Sequence, residues 1–282
     1  MLSRFVSGKR LSGLLLLLSA STLSAIAATA PQDQIALQGY TLRNVGSLEQ
    51  QYAMAHDTGF KAIEIVSDQG VSPQQLNALL NKYQLKVTSD HVHLADLEAG
   101  TQKIIDFNQA INNHTIIVSW LTLDERPDSA EGWKQMGQRL DKLGATLKKQ
   151  GMQLGYHNHN FEMKKYGGKT ALEIMLDNAS AQNLQVELDV AWVSRGGQDP
   201  VRFLQKYPGR IFAIHAKDNA SIGVRDDEMN FAPAGSGILA WNEILPAAEK
   251  AGTRWYIVEH DLPKDPRSVI TAGKRYLEKT LK

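Results

Sequence analysis

From residue 35 onward, short apolar runs alternate with longer stretches whose apolar residues recur at helical spacing. The runs are Ile35–Gln38, Ala62–Val66, Lys86–Ser89, Thr115–Ser119, Met152–Tyr156, Leu184–Leu188, Ile211–His215 and Tyr256–Glu259. Each is four or five residues long and rich in Val, Ile and Leu, as strands buried on both faces are. Between them the periodicity predicts helices over Ser47–Thr58, Pro73–Tyr83, Thr101–Asn112, Ser129–Gln150, Thr170–Asn178, Pro200–Tyr207, Ala240–Ala251 and Pro266–Leu281. Ser47, Ser72, Ser129 and Asp199 stand where N-caps belong, and Ser72 and Asp199 precede a proline suited to the first helical position. Gly59, Gly151 and Gly252 follow helices, as C-terminal glycines do.

Eight strands alternating with eight helices predict an α/β fold, a single (β/α)8 barrel, a fold that typically needs about 250 residues. A doubly wound open sheet is the alternative, since βαβ units build both. It calls for a glycine-rich phosphate turn after the first strand, and Gly39-Tyr40-Thr41-Leu42-Arg43 is not one. No linker, low-complexity tract or charge run divides the chain.

Residues 1–27 read differently. Arg4, Lys9 and Arg10 precede the five leucines Leu14 to Leu18, and Ala25-Ile26-Ala27 fits a small-x-small cleavage site. We expect a signal peptide over 1–27 and a barrel domain over 28–282, periplasmic or secreted, without stable membrane insertion once the signal is cleaved. The formal charge is +1, and losing three basic residues takes the mature chain near −2. That argues against nucleic acid as a partner. The chain has no Cys, which excludes disulfides, thiolate metal sites and Cys nucleophiles.

In a (β/α)8 barrel the chemistry sits at the C-terminal ends of the strands. Glu64 lies on strand 2, and strand 3 ends in Asp90-His91-Val92-His93. Strand 5 ends in His157-Asn158-His159 with Glu162 beyond, and strand 6 in Glu187-Leu188-Asp189. Strand 7 ends in His215-Ala216-Lys217-Asp218 and strand 8 in Glu259-His260-Asp261. Six of the eight histidines fall at these ends. Histidine and carboxylate without Cys are the ligands of a hard or borderline divalent ion, with Mn²⁺ favoured over Mg²⁺, Co²⁺ or Zn²⁺. Residues two apart share a face, which pairs His157 with His159, His91 with His93, and His215 with Lys217. Glu187 alternates to the face opposite Leu188, where a helix partner would account for it. His260 and Asp261 have a bland reading as partners of loop backbone.

The segments Tyr156-His157-Asn158-His159-Asn160-Phe161-Glu162, Leu188-Asp189-Val190-Ala191-Trp192, Ile214-His215-Ala216-Lys217-Asp218 and Val258-Glu259-His260-Asp261 resemble the sugar phosphate isomerase/epimerase proteins with a xylose isomerase-like barrel. Pro233-Ala234-Gly235-Ser236-Gly237 and Trp241-Asn242-Glu243-Ile244 extend the likeness, which spans roughly residues 35–280. The resemblance implies one divalent ion held by Glu, Asp, His and Glu from strands 5 to 8. Asp189, His215 and Glu259 match that set, while His157 takes the place of the strand-5 glutamate. The family's two glutamates move the proton; here Glu259 is one catalytic candidate, and His159 or Glu162 must be the other. The His-Asn-His strand is closest to the branch resembling inosose dehydratase and keto-glycoside-processing proteins.

The expected chemistry is removal of an α-proton from a keto sugar or keto-glycoside, followed by epimerisation, isomerisation or loss of a β-substituent. Lys217 is a candidate for binding a substrate oxygen or protonating a leaving group; pairing with Asp218 or Asp189 is its alternative. His91, His93 and Glu64 are assigned to substrate contact or to orienting the ligands, and Trp192 and Trp241 to stacking on a sugar face. A small carbohydrate is the expected partner, and a homo-oligomer is compatible with the chain. Two other classes stay open: a non-catalytic sugar-binding barrel, and a metal phosphodiesterase like endonuclease IV, which the charge disfavours.

Overall fold

The computed structural model describes residues 31–281, so the expected signal peptide over 1–27 lies outside the described residues. Eight strands form the barrel: β1 (Ile35–Gln38), β2 (Ala62–Val66), β3 (Lys86–Val92), β4 (Thr115–Val118), β5 (Gln153–His157), β6 (Gln185–Asp189), β7 (Ile211–Asn219) and β8 (Trp255–Val258). Each pairs in parallel with its neighbours, and β1 pairs with β8 through Ile35↔Tyr256, closing the ring. Closure rejects the open doubly wound sheet. A short strand, Phe231–Pro233, adds antiparallel to the end of β7.

The predicted punctuation is present. Ser47 and Ser72 form capping boxes with Gln50 and Gln75, and Ser129 and Asp199 cap through their side chains. Gly59, Gly151 and Gly252 adopt φ of 85°, 73° and 80°. Two short helices, Leu94–Ala99 and Val190–Arg195, were not predicted. They lie too close to a strand end for a long amphipathic period to show. β3 and β7 run three and four residues further than expected, placing Asp90, His91, Lys217 and Asp218 within strands.

Alternation along the strands separates two environments. Leu37, Ile63, Tyr156, Leu188, Ile214 and Val258 join the helices in the main hydrophobic core. Ala36, Ala62, Ile117, Ala213 and Ile257 face the other way, forming a small apolar plug inside the barrel with Phe212 and Trp255. One step of two residues toward the C-terminal end, the inward positions turn polar: Gln38, Glu64, His157, His215 and Glu259. Gly155 has no side chain because a Cβ there would stand 2.4 Å from Ile117 Cδ1, inside the plug. The barrel is thus sealed by hydrocarbon at the bottom and charged above it.

Candidate metal centre at the barrel mouth

His157, Asp189, His215 and Glu259 meet, each offering a ligand atom within 4.8 Å of the others, and all four are buried. His157 Nε2 lies 3.5 Å from Asp189 Oδ2, and His215 Nδ1 lies 3.8 Å from the same oxygen and 3.0 Å from Glu259 Oε2. Ligands around an ion at about 2.0–2.2 Å stand a little over 3 Å apart, so this spacing suits a cation. Local bonding leaves the ligand atoms free. His157 Nδ1 donates to the Ser119 carbonyl at 3.2 Å, which leaves the lone pair on Nε2. Asp189 Oδ1 caps the Val190–Arg195 helix by accepting from Trp192 N at 2.8 Å, and Oδ2 is left over. His157 Nε2 is buried without a hydrogen-bond partner, and Asp189 Oδ2 is held by the Lys217 ammonium at 2.9 Å. Buried polar atoms are rarely orphaned unless something binds them, so the residues fit a divalent ion.

Lys217 closes one side of the cluster. It is fully buried, with Nζ 2.9 Å from Asp189 Oδ2, 2.8 Å from Glu259 Oε2 and 2.5 Å from Asp261 Oδ2. Burial opposes its charge, but Asp189, Asp261 and Glu259 outweigh that and raise its pKa. Glu259 is likewise held well below the usual carboxylate range: Lys217 and His215 overcome the cost of burial. Asp261 is pushed up by burial, which Lys217 only partly offsets.

A second group lies beneath. Glu64, His91, Glu187 and the far side of His215 converge, all buried. His91 Nε2 is 2.5 Å from Glu187 Oε1 and 3.1 Å from Glu64 Oε1, and His215 Nε2 is 2.9 Å from each. Gln38 Nε2 and Ser89 Oγ donate to Glu64 at 2.6 and 2.5 Å. Burial disfavours a charged His91, yet Glu64 and Glu187 raise its pKa to about 10.

Above the cluster, His159 stands among aromatic rings, with Trp120 at 4.5 Å, Trp192 at 5.4 Å and Phe161 at 6.0 Å between centroids. Burial, then His157 and Lys217, hold its pKa well below the usual histidine range, so it is neutral at neutral pH. Its Nδ1 and the Trp192 Nε1 are buried and unpartnered.

Three expected site residues stand apart. His93 is exposed, because β3 ends at Val92 and His93 serves as the backbone N-cap of the next helix, breaking its pairing with His91. Trp241 is buried and donates Nε1–H to Asp218 Oδ2 at 2.7 Å, so it packs a loop rather than a sugar face. Asp218 also accepts from the amides of Gly235, Gly237 and Leu239, and it does not pair with Lys217. A Cβ at Gly237 would sit 2.4 Å from Asp218 Oδ1, so this loop requires glycine there. Glu162 is fully buried, with Oε1 accepting from Tyr156 Oη at 2.7 Å and Oε2 from His159 N at 2.9 Å. It braces the segment that carries His159 instead of facing the cluster.

Burial lifts the Glu162 carboxyl to about 7, against the bonds from Tyr156 and the His159 amide. A folded pKa above the unfolded value gives stability that is complete below pH ~4.5 and lost as pH rises through ~7. In Glu162→Gln the amide oxygen can still accept from His159 N while Nε2 donates to Tyr156 Oη, reversing that bond, and the titration is removed. Between pH 4.5 and 8 the variant should gain roughly 3 kcal/mol relative to the parent in urea unfolding. Parallel pH profiles would contradict this.

Sequence reasoning missed Glu187, which points inward beside Asp189 and not toward a helix. Leu188 faces the helices, so its neighbours at 187 and 189 must both enter the barrel. Gln38, Ser89 and Trp120 were also missed, although the same alternation rule marks Gln38 and Ser89; Asp261, read as a partner of loop backbone, pairs with Lys217 instead.

The fold and site together define a closed parallel barrel with a buried histidine–carboxylate cluster at its C-terminal mouth that could hold a metal ion. Residues 52–280 match the family described as xylose isomerase-like TIM barrel, and the chain belongs to it. Inosose dehydratase of Lacticaseibacillus casei is 23% identical over 260 residues, covering 79% of this chain and 86% of that protein. Inosose dehydratase of Geobacillus thermodenitrificans is 26% identical over 176 residues, 56% of this chain and 58% of that one. Among solved structures, a sugar phosphate isomerase/epimerase from Parabacteroides distasonis superposes with TM-score 0.74 at 21% identity, covering 93% of this chain and all of that one. IolI protein with a bound zinc atom gives TM-score 0.70 at 15% identity, covering 88% and 99%. Among the described residues no helix is long and apolar enough to cross a membrane.

Proposed function

We propose that the chain is an exported enzyme that uses a divalent cation to eliminate or isomerise keto sugars or keto-glycosides by α-proton abstraction. The observation that carries the reading is the orphaned buried His157 Nε2, set among four convergent ligands directly below a neutral histidine. The likeness to inosose dehydratases supports elimination over epimerisation. Export rests on the leader-like residues 1–27 alone. Mn²⁺ and Zn²⁺ both suit two imidazoles and two carboxylates.

His157, Asp189, His215 and Glu259 would hold the ion, which when bound supplies Lewis acidity toward a carbonyl oxygen. His159 is the base. It is unprotonated, its Nδ1 is free, and it accepts the proton from the carbon next to the carbonyl. The released electron pair expels the β-oxygen substituent as a double bond forms. Lys217 hands that oxygen its proton, and Asp189, Glu259 and Asp261 steady the ammonium. Trp120 and Trp192 flank His159 and offer faces to the sugar ring.

The reading is tested by deuterium uptake from D₂O across a panel of keto sugars and keto-glycosides with added Mn²⁺. Metal-dependent exchange or elimination with at least one member is expected, falling in His159→Gln. Metal binding without either reaction on any member would favour a sugar-binding barrel and overturn the proposal.

A further inference from the structure

We propose that Glu64 and Glu187 are positioning residues for the cation site: they fix the proton of His215 on Nε2 and so aim the Nδ1 lone pair at the Asp189–Glu259 side. This rests on the reading that the mouth cluster binds a cation.

His215 is the one side chain shared by the two groups. Its Nε2 lies 2.9 Å from both Glu64 Oε1 and Glu187 Oε1. Ionised carboxylates only accept, so Nε2 must bring the proton. Nδ1 faces Glu259 Oε2 at 3.0 Å, so a cation bound there would displace the Nδ1 proton while Nε2 keeps its own for Glu64 and Glu187.

The two glutamates are themselves fixed from two further strands. Gln38 Nε2 on β1 and Ser89 Oγ on β3 donate to Glu64. The Gln38 amide cannot be turned over, because its Oε1 accepts from Tyr40 N at 2.9 Å. His91 Nε2 on β3 holds Glu187 at 2.5 Å. The barrel's two register shifts fall between Ile63 and Ile65 on the β2–β3 pairing and between Val186 and Glu187 on the β6–β7 pairing. The extra residue lies on the partner strand each time, between Val87 and Asp90 on β3 and between Ile211 and Ala213 on β7, across from the two glutamates.

The lower group is closed on itself: its four histidine–glutamate contacts are 2.5–3.1 Å, hydrogen-bond distances with both imidazoles presenting N–H to the carboxylates.

The test is Zn²⁺ affinity, measured by competition with a chromophoric chelator, together with long-range ¹H–¹⁵N NMR of the imidazoles in the Zn²⁺-loaded full chain. The parent should show His215 liganded through Nδ1 and protonated at Nε2. Glu187→Gln and Glu64→Gln each present an N–H that competes at Nε2. Each should weaken Zn²⁺ binding by about 10–100-fold, as loss of a carboxylate behind a ligating histidine does. A role confined to packing would change melting of the chelator-treated protein without moving affinity or tautomer. Should the variants not fold, the parent spectrum decides alone: His215 liganded through Nε2 overturns the inference. Undiminished Zn²⁺ affinity in both folded variants overturns it too, while leaving the cation site intact. Absence of Zn²⁺ binding by the parent itself overturns the underlying reading and this inference with it.

Discussion

Asp189→Asn should leave a folded protein that no longer holds its cation and has lost about 10³-fold or more in kcat/KM, the equivalent of several kcal/mol of transition-state charge stabilisation. The substitution is close to isosteric, and an asparagine oxygen can still accept from Trp192 N, so the start of the Val190–Arg195 helix survives. What changes is Oδ2, the buried oxygen turned toward the cluster. Its replacement by an amide nitrogen removes a ligand and a negative charge, and points N–H groups at His157 Nε2 and the Lys217 ammonium, which now stand 3.5 and 2.9 Å from Oδ2. Metal content after gel filtration and the rate of deuterium exchange check the two halves separately. A variant that retains both a full complement of metal and its rate would remove Asp189 from the ligand set. A variant that loses metal but keeps its rate would remove the cation from the mechanism.

The order of strands and helices was legible because each layer of the fold has its own period, and because Ser47, Ser72 and Asp199 mark helix starts with side-chain chemistry. The convergence of His157, Asp189, His215 and Glu259 was legible for a related reason: barrel topology brings strand ends together whatever their separation in the chain, so polar residues at those ends converge. The second layer was harder to read. In this barrel burial does not distinguish inside from outside, since Leu188 and Glu187 are both buried, one against helices and one in the barrel. Alternation could have placed Glu187 inward, but the register shifts at Glu64 and Glu187 leave no mark in residue type. His93 and Trp241 failed for the opposite reason. Both sit a residue or more past a strand, where helix starts and loop packing dictate direction. Glu162 carries a motif that looks catalytic, yet the turn after β5 folds it under His159.

Lys217→Met should cost about 3–5 kcal/mol of stability in the metal-free protein, the range for removing one partner of a buried ionic group. That corresponds to a melting temperature lower by roughly 6–20 °C for a domain of this size. Methionine fills much of the space beside Phe231, whose ring centre lies 4.6 Å from Nζ, so packing is largely kept. The loss is electrostatic: Asp189, Glu259 and Asp261 remain together with no ammonium between them. Its pH dependence follows from the direction of the shifts. In the parent, Lys217 helps hold Asp189 and Glu259 below their ordinary values against the cost of burial. A depressed folded pKa gives stability that is present above the unfolded value and lost as pH falls through the folded one. Without the lysine these carboxyls rise and take up protons in the folded state, so the deficit should be small near pH 4 and grow toward pH 8. A divalent ion at the mouth replaces the missing positive charge, so saturating Zn²⁺ should recover part of the lost melting temperature, more in the variant than in the parent. Elimination should stay slow even then, because the ion restores charge but not a proton donor for the leaving oxygen. Melting curves that overlay the parent's at both pH values would mean that the three carboxylates are already neutralised by protons, and that Lys217 is not the cation on which the site is built.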